Sequence, residues 1–194
     1  MHEYDLIADW YAESRMGAKG PSGVPEVATL AASLPRGASV LDVGCGNGEP
    51  LTRVLLEHGC DVLGVDSSAN MLARFRESFP DVPVIHSQIQ SCDFQGRTFD
   101  AAIAWGVIFH LPHDAQSQAL STISHALTPG SPFLFTAGDK DGWIDGEPMN
   151  GVPFRYYALT VEGYRELLRT HGLVLENTHE DRGGNIYYLA RKIE

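Results

Sequence analysis

The run Leu41-Asp42-Val43-Gly44-Cys45-Gly46-Asn47-Gly48-Glu49-Pro50 sets Gly44, Gly46 and Gly48 at alternate positions directly behind an apolar stretch. Glycines so spaced let the main chain pass close to a bound group, because no Cβ stands in the way and positive φ is open to them. Two common uses of such a loop fit poorly. A triphosphate loop is longer and ends in Lys followed by Ser or Thr, whereas this one ends in Gly48-Glu49-Pro50, whose carboxylate would repel phosphate. A dinucleotide fold needs GxGxxG; counting from Gly44 and Gly46, the third glycine falls where Glu49 stands.

A second group of reactive side chains is His110, His113 and Asp114 around Pro112. Imidazole and carboxylate are ligands for zinc and iron. Pro112 disturbs the i, i+3 geometry and no second cluster supplies the missing ligands, so no metal is assigned; Asp114 reads as the cap of the following helix. The three cysteines, Cys45, Cys60 and Cys92, lack CxxC spacing and read as reduced, buried thiols.

These residues need a scaffold, and the chain alternates β-branched runs with helical periods. Strands are expected at Ser39 to Gly44, Asp61 to Asp66, Val82 to Ser87, Phe99 to Trp105 and Pro132 to Ala137, all with the continuous apolar character of parallel strands buried on both faces. Helices are expected at Pro50 to His58, Ser68 to Phe79 with Ser67 or Ser68 as cap, Asp114 to Leu127, and Thr160 to His171. Alternation of this kind implies right-handed crossovers and helices on both faces of a parallel sheet. The tail departs from it: GLVLENTHED and NIYYLARK flank Arg182-Gly183-Gly184, a hairpin signal that places an antiparallel strand at one end of the sheet.

With 194 residues the chain is expected to form one domain, and 43% hydrophobic with 20% charged residues is ordinary for a globule. No apolar run reaches the roughly 20 residues of a membrane span, and the first fifteen residues lack a basic-then-apolar leader pattern, which implies a cytoplasmic protein. A formal net charge of -11 would repel a phosphate backbone, so a small-molecule partner is expected rather than nucleic acid or membrane.

Leu41 to Gly48 resembles the first motif of the class I S-adenosylmethionine-dependent methyltransferases, D/ExGxGxG, and the resemblance extends over nearly the whole chain. It implies a Rossmann-like three-layer α/β sandwich, with a seven-stranded, mostly parallel sheet and one antiparallel strand near the carboxyl-terminal edge. S-adenosylmethionine carries no phosphate, so Glu49 is no longer a penalty. The implied cofactor residues are Asp42, Gly44, Gly46, Asn47 and Gly48; Asp66, whose two acceptor oxygens suit the ribose hydroxyls; Ser67; and Met71 under the adenine. Ala104 and Trp105 would face the methionine moiety. Where many members carry an acid against the adenine amine, this chain has Gln88-Ile89, and the Gln carbonyl can still accept from that amine.

The opening YDLIADWY resembles an amino-terminal helix, about residues 1–20, that folds over the cofactor and brings Tyr4, Trp10 and Tyr11. The long connection 138–160 is placed to cover an acceptor, with Trp143, Asn150, Arg155, Tyr156 and Tyr157 toward it and Trp10 beside it; its other reading is a β-hairpin or dimer contact. Methyl transfer to an oxygen or nitrogen of a small molecule is the expected reaction, by a monomer or homodimer. His110 and Tyr156 are the candidate catalytic residues, and His86 is a further possible base; Arg155 would gain weight if the acceptor were an anion. The alternatives are a S-adenosylmethionine-binding regulator without catalysis, and an NAD(P)-dependent oxidoreductase.

Overall fold

The computed structural model describes residues 3–14, 22–181 and 184–193. Its elements in chain order are α1 (Glu3–Ser14), α2 (Val24–Ser33), β1 (Ser39–Val43), α3 (Leu51–Glu57), β2 (Asp61–Asp66), α4 (Ala69–Ser78), β3 (Val84–His86), β4 (Ala101–Ala104), α5 (His113–Ala126), β5 (Pro132–Ala137), β6 (Gly142–Asp145), β7 (Arg155–Ala158), α6 (Val161–Thr170), β8 (Leu173–Glu180) and β9 (Ile186–Lys192). Short 3-10 turns at Ile89–Ser91 and Ile108–His110 follow β3 and β4.

Among the described residues, seven strands form one sheet in the order β3-β2-β1-β4-β5-β9-β8, and β6 and β7 form a separate antiparallel pair. β1 through β5 run parallel, and β9 runs antiparallel to both β5 and β8. The expected antiparallel strand is thus second from the edge. Arg182 and Gly183 of its connection lie outside the described residues.

The apolar runs explain the layers. Alternate side chains of one strand go to opposite faces: Leu41 and Val43 join α5 and α6 in one core with Leu120, Ile123, Phe133, Phe135 and Tyr164, while Val40 joins Leu30, Leu55 and Ile103 under α2 and α3. Both faces of β4 are buried, since Ala101 through Ala104 are all at 0% exposure. Helix starts are set by side chains where the sequence supplies them. Ser68 Oγ accepts from the Met71 amide at 3.2 Å, and Thr160 Oγ1 accepts from the Gly163 amide at 3.0 Å. Asp114 does not cap α5; Pro112 holds the cap position and Asp114 sits in the first turn.

Three differences from the expected elements stand out. β3 is shorter than Val82 to Ser87 because Pro83 has no amide to donate, although its carbonyl still accepts from Gly64. Phe99 meets Leu127 only in an isolated bridge, so β4 begins at Ala101. α2 is an additional helix, opened by Pro25 and buried through Val27, Leu30 and Ala31. Strand order reverses between β1 and β4, so the loops after these two strands diverge and leave a crevice at their carboxyl ends.

Candidate functional site

That crevice is walled by the glycine loop after β1, the end of β2, the turn after β3 and the loop after β4. The loop after β1 is fixed by the next strand: the Gly44 and Cys45 amides donate to Val65 O at 2.7 and 3.1 Å. Asp66, the last residue of β2, accepts from the Gly46 amide at 2.8 Å through one oxygen and from the Ser68 amide at 2.8 Å through the other. One carboxylate therefore both shapes the glycine loop and starts α4. Asp66 also borders the crevice.

The cleft wall includes Tyr11, Gly44, Gly46, Asn47, Asp66, Ser67, Met71, Gln88, Ile89, Trp105 and His110. Trp105 is held in place by its indole N–H, which donates to Ser22 Oγ at 3.1 Å. The turn after β3 is tied to α5 by Thr122 Oγ1, which donates to Gln90 O at 3.2 Å.

Three expected cofactor residues do not border the cleft. Asp42 is 4% exposed and accepts from Thr52 Oγ1 at 2.6 Å, under the loop and off the cleft wall. Gly48, at φ +82, packs on α4: a Cβ there would lie 2.5 Å from the Phe79 ring. Ala104 is wholly buried with its side chain in the core beneath α5. His86 donates through Nε2 to Ser67 O at 3.1 Å and borders neither cavity of the site, so it is a tie for the β2 end.

α1 closes the cleft. Asp5 accepts from Ser68 Oγ at 2.6 Å and from the Asn70 amide at 3.2 Å, and Asn70 Nδ2 donates to Asp5 O at 2.9 Å. Asp9 pairs with Arg74 one turn further along α4. The helix is thus pinned across the start of α4, with Tyr4 reaching His110: Tyr4 Oη and His110 Nε2 are 2.9 Å apart. Residues 1–2 and 15–20 of the expected covering segment lie outside the described residues.

A second cavity opens on the other side of His110, roofed by the β6–β7 hairpin. Its wall takes in Tyr4, Tyr11, Phe109, His110, Trp143, Tyr156 and Tyr157. Tyr156 projects from the hairpin onto the site, its ring centroid 5.2 Å from His110 and 5.5 Å from Phe109. Burial, and then the nearby Tyr11, raise the Tyr156 phenol above its ordinary pKa, so it stays protonated at neutral pH and offers a donor rather than a base. Tyr4, Tyr11, Gly106 and His110 border both cavities.

The remaining substrate expectations fall outside this cavity. Arg155 lies on the exposed hairpin face, bonded to Asp145 at 2.7 Å and lying 4.0 Å from the Trp143 ring centroid. Asn150 is exposed at φ 47, a turn former. Trp10 borders a neighbouring recess with Trp105, Met149 and Asn185. Conversely, Gly106, Val107, Leu111 and Gln90 border the cleft without having been expected there. The signal for the first three was their position directly after the strand end, where open α/β sheets gather ligand contacts. Cys45 also lines the cleft; burial first, then the charges of Asp42 and Asp66, push its thiol well above the ordinary range and keep it unreactive.

Residues 40–130 match a family described as a methyltransferase domain. The chain is 28% identical over 142 residues to a probable S-adenosylmethionine-dependent methyltransferase of Mycolicibacterium smegmatis, which covers 73% of this chain and 54% of that protein. It is 31% identical to the tRNA (carboxymethyluridine(34)-5-O)-methyltransferase of Arabidopsis thaliana over 69% of this chain and 31% of that one. The chain thus spans about half or less of the length of these two relatives. Among solved structures it is similar to the 1,6-didemethyltoxoflavin-N1-methyltransferase of Burkholderia thailandensis with bound 1,6-didemethyltoxoflavin and S-adenosylhomocysteine. That likeness has a TM-score of 0.73 at 24% identity and covers 99% of this chain and 87% of the other. The glycine motif, the strand order and these likenesses together make residues 40–130 a methyltransferase domain similar to those of S-adenosylmethionine-dependent methyltransferases.

Proposed function

We propose that the chain binds S-adenosylmethionine in the cleft at the ends of β1, β2 and β4 and moves its methyl group to an oxygen or nitrogen of a small molecule in the adjoining aromatic cavity. The observation that carries this is the shared wall: Tyr4, Tyr11, Gly106 and His110 border both spaces, so a donor on one side and an acceptor on the other meet at one place.

The residues fit the cofactor. Asp66 offers carboxylate oxygens to a pair of vicinal hydroxyls, Gln88 borders the far end where an adenine amine needs an acceptor, and Gly46 leaves a bare stretch that a Cβ would fill, 3.0 Å from the Met71 methyl. When bound, the cofactor supplies an electrophilic methyl on a sulfonium. The chain's own work is then alignment, which replaces a bimolecular encounter. α1 and the hairpin hold the two reactants and exclude water. The Tyr156 hydroxyl donates to the acceptor, and His110 stands at the junction where an acceptor proton would be taken up.

A small acceptor is favoured over a nucleic acid because the net charge of -11 opposes binding to phosphate. A regulator that binds the cofactor without turnover is the reading to be tested against. Calorimetry with S-adenosylhomocysteine, followed by detection of that product with pooled small amines and alcohols and, separately, with total tRNA, tests all three. Binding with turnover on the small pool is expected. Methylation of tRNA alone overturns the acceptor assignment, and uptake of NADH but not of S-adenosylhomocysteine overturns the cofactor.

A further inference from the structure

Resting on the cofactor reading above, we infer that the acceptor is a small amine with an apolar body, cationic in solution and methylated at nitrogen. The cavity that would receive it is walled by the rings of Tyr4, Tyr11, Phe109, Trp143, Tyr156 and Tyr157. Aromatic faces carry partial negative charge and attract ammonium and guanidinium groups. Trp143 already does so toward Arg155, whose Cζ lies 4.0 Å from the ring centroid.

The charged groups at the mouth point the same way. Asp139 and Asp141 border it with Lys140 between them, and among the described residues Lys140 is the sole Lys or Arg on this wall. Arg155, the other cation of the hairpin, is held by Asp145 at 2.7 Å off the cavity wall. A carboxylate acceptor would therefore meet two carboxylates against one ammonium in a chain of net charge -11, and a neutral alcohol would gain nothing from the rings' charge preference.

The chemistry balances without a further reagent. The ammonium gives up a proton at the junction where His110 stands, and the proton passes from there to solvent. The nitrogen lone pair then forms a bond to the methyl carbon while the carbon–sulfur bond breaks and its electrons pass to sulfur. Sulfur becomes a neutral thioether and the positive charge appears on nitrogen, inside a cavity whose rings favour a cation.

Three ligands sharing one apolar body test this: 2-phenylethylamine, 2-phenylethanol and 3-phenylpropionate, titrated by calorimetry at low salt into protein saturated with S-adenosylhomocysteine. The amine is expected to bind at least about tenfold tighter than either of the others, because cation–π and rim charges add for it alone. The double variant Asp139→Asn, Asp141→Asn should cut that preference to about threefold with the folding midpoint unchanged. Equal or tighter binding of 3-phenylpropionate, no saturable binding of any of the three, or an unchanged preference in the double variant overturns the amine assignment while the cofactor reading stands. Failure to take up S-adenosylhomocysteine removes both.

Discussion

The side-chain amide of Gln116 donates to Tyr157 O at 3.2 Å and to Leu111 O at 2.8 Å, so one wholly buried residue of α5 holds both the loop that carries His110 and the strand that carries Tyr156. Its own carbonyl accepts from the Tyr164 hydroxyl at 2.9 Å. His113 adds a bond to Ala158 O at 2.9 Å, so the roof of the aromatic cavity is fastened to α5 at two successive residues. Gln116→Leu strands a buried hydroxyl and two carbonyls. Each unsatisfied buried group costs about 1–3 kcal/mol, so a loss of about 3 kcal/mol or more is expected by urea denaturation. S-adenosylhomocysteine affinity, measured by calorimetry, should change less than the KM for the acceptor.

Gly46 and Gly48 look equivalent in the sequence and are not. Both have positive φ, +57 and +82, where an L residue is strained by about 1–2 kcal/mol. At Gly48 a Cβ would also meet the Phe79 ring at 2.5 Å and the Phe75 ring at 2.9 Å, an overpacking cost of about 1–3 kcal/mol more. At Gly46 it meets only the Met71 methyl at 3.0 Å, the end of a flexible side chain. Gly48→Ala is therefore expected to lower folding stability by about 2–5 kcal/mol and Gly46→Ala by about 1–2 kcal/mol. Gly46→Ala alone should lose S-adenosylhomocysteine binding at a folding midpoint still well above the assay temperature. Thermal melts with and without that ligand separate the two.

These glycines mark the limit of what the sequence carries. Their spacing announced a ligand loop, and the apolar runs announced the parallel sheet, because burial on both faces demands side chains that are apolar throughout. Asp66 was legible for the same reason: an acid directly ending such a run has left the core and faces the strand-end crevice. Asp42 had no such mark, because a carboxylate inside a strand shows its place only through partners such as Thr52, in the first turn of a helix that periodicity alone does not orient. Arg155 misled for a related reason. Alternation along β7 puts Arg155 and Tyr156 on opposite faces, but which face meets the site depends on how the hairpin docks, through contacts such as Gln116 to Tyr157. α2 has helical spacing at Val24, Val27, Leu30, Ala31 and Leu34, yet follows Gly17, Gly20, Pro21 and Gly23, which read as a breaker run.

Asp66 joins loop, helix and cleft, so its substitutions should act on both folding and binding. Asp66→Ala removes the acceptor for the Gly46 and Ser68 amides, bonds to a charged group that contribute about 1.5–3 kcal/mol each. On the ribose role proposed for it, that substitution should weaken S-adenosylhomocysteine binding about 100-fold or more by calorimetry, from two such bonds at about 1.5 kcal/mol or above. Asp66→Asn keeps an acceptor for only one of the two amides and turns an NH2 donor on the other, so it is expected to recover at most about half of the folding loss and little of the affinity. Wild-type affinity in Asp66→Ala removes the ribose assignment.

Tyr164 and Tyr188 lie side by side in the core, ring centroids 5.0 Å apart and both at 0% exposure, which sets an upper pH limit on the fold. Burial pushes the Tyr164 phenol up to about 12 against the opposing help of its bond to Gln116, and burial together with Tyr164 pushes Tyr188 up further. Both are neutral when protonated, and their folded pKa values lie above the ordinary tyrosine value of about 10. Above that pH the unfolded chain gives up protons that the folded chain retains, so the unfolded state binds fewer and stability falls as pH rises. Below about pH 10 the two residues should impose no slope; from there to about pH 12 each should take away up to about 1.4 kcal/mol per pH unit. Urea midpoints across this range, with tyrosinate absorbance followed in parallel, should show the decline starting before the buried pair ionises. Tyr188→Phe gives up the hydroxyl bond to Gly138 O, 2.6 Å long, so it starts from a lower stability, but it should remove its own share of the alkaline slope, about half of what this pair contributes. A slope that survives unchanged in that variant would place the titrating groups elsewhere in the fold.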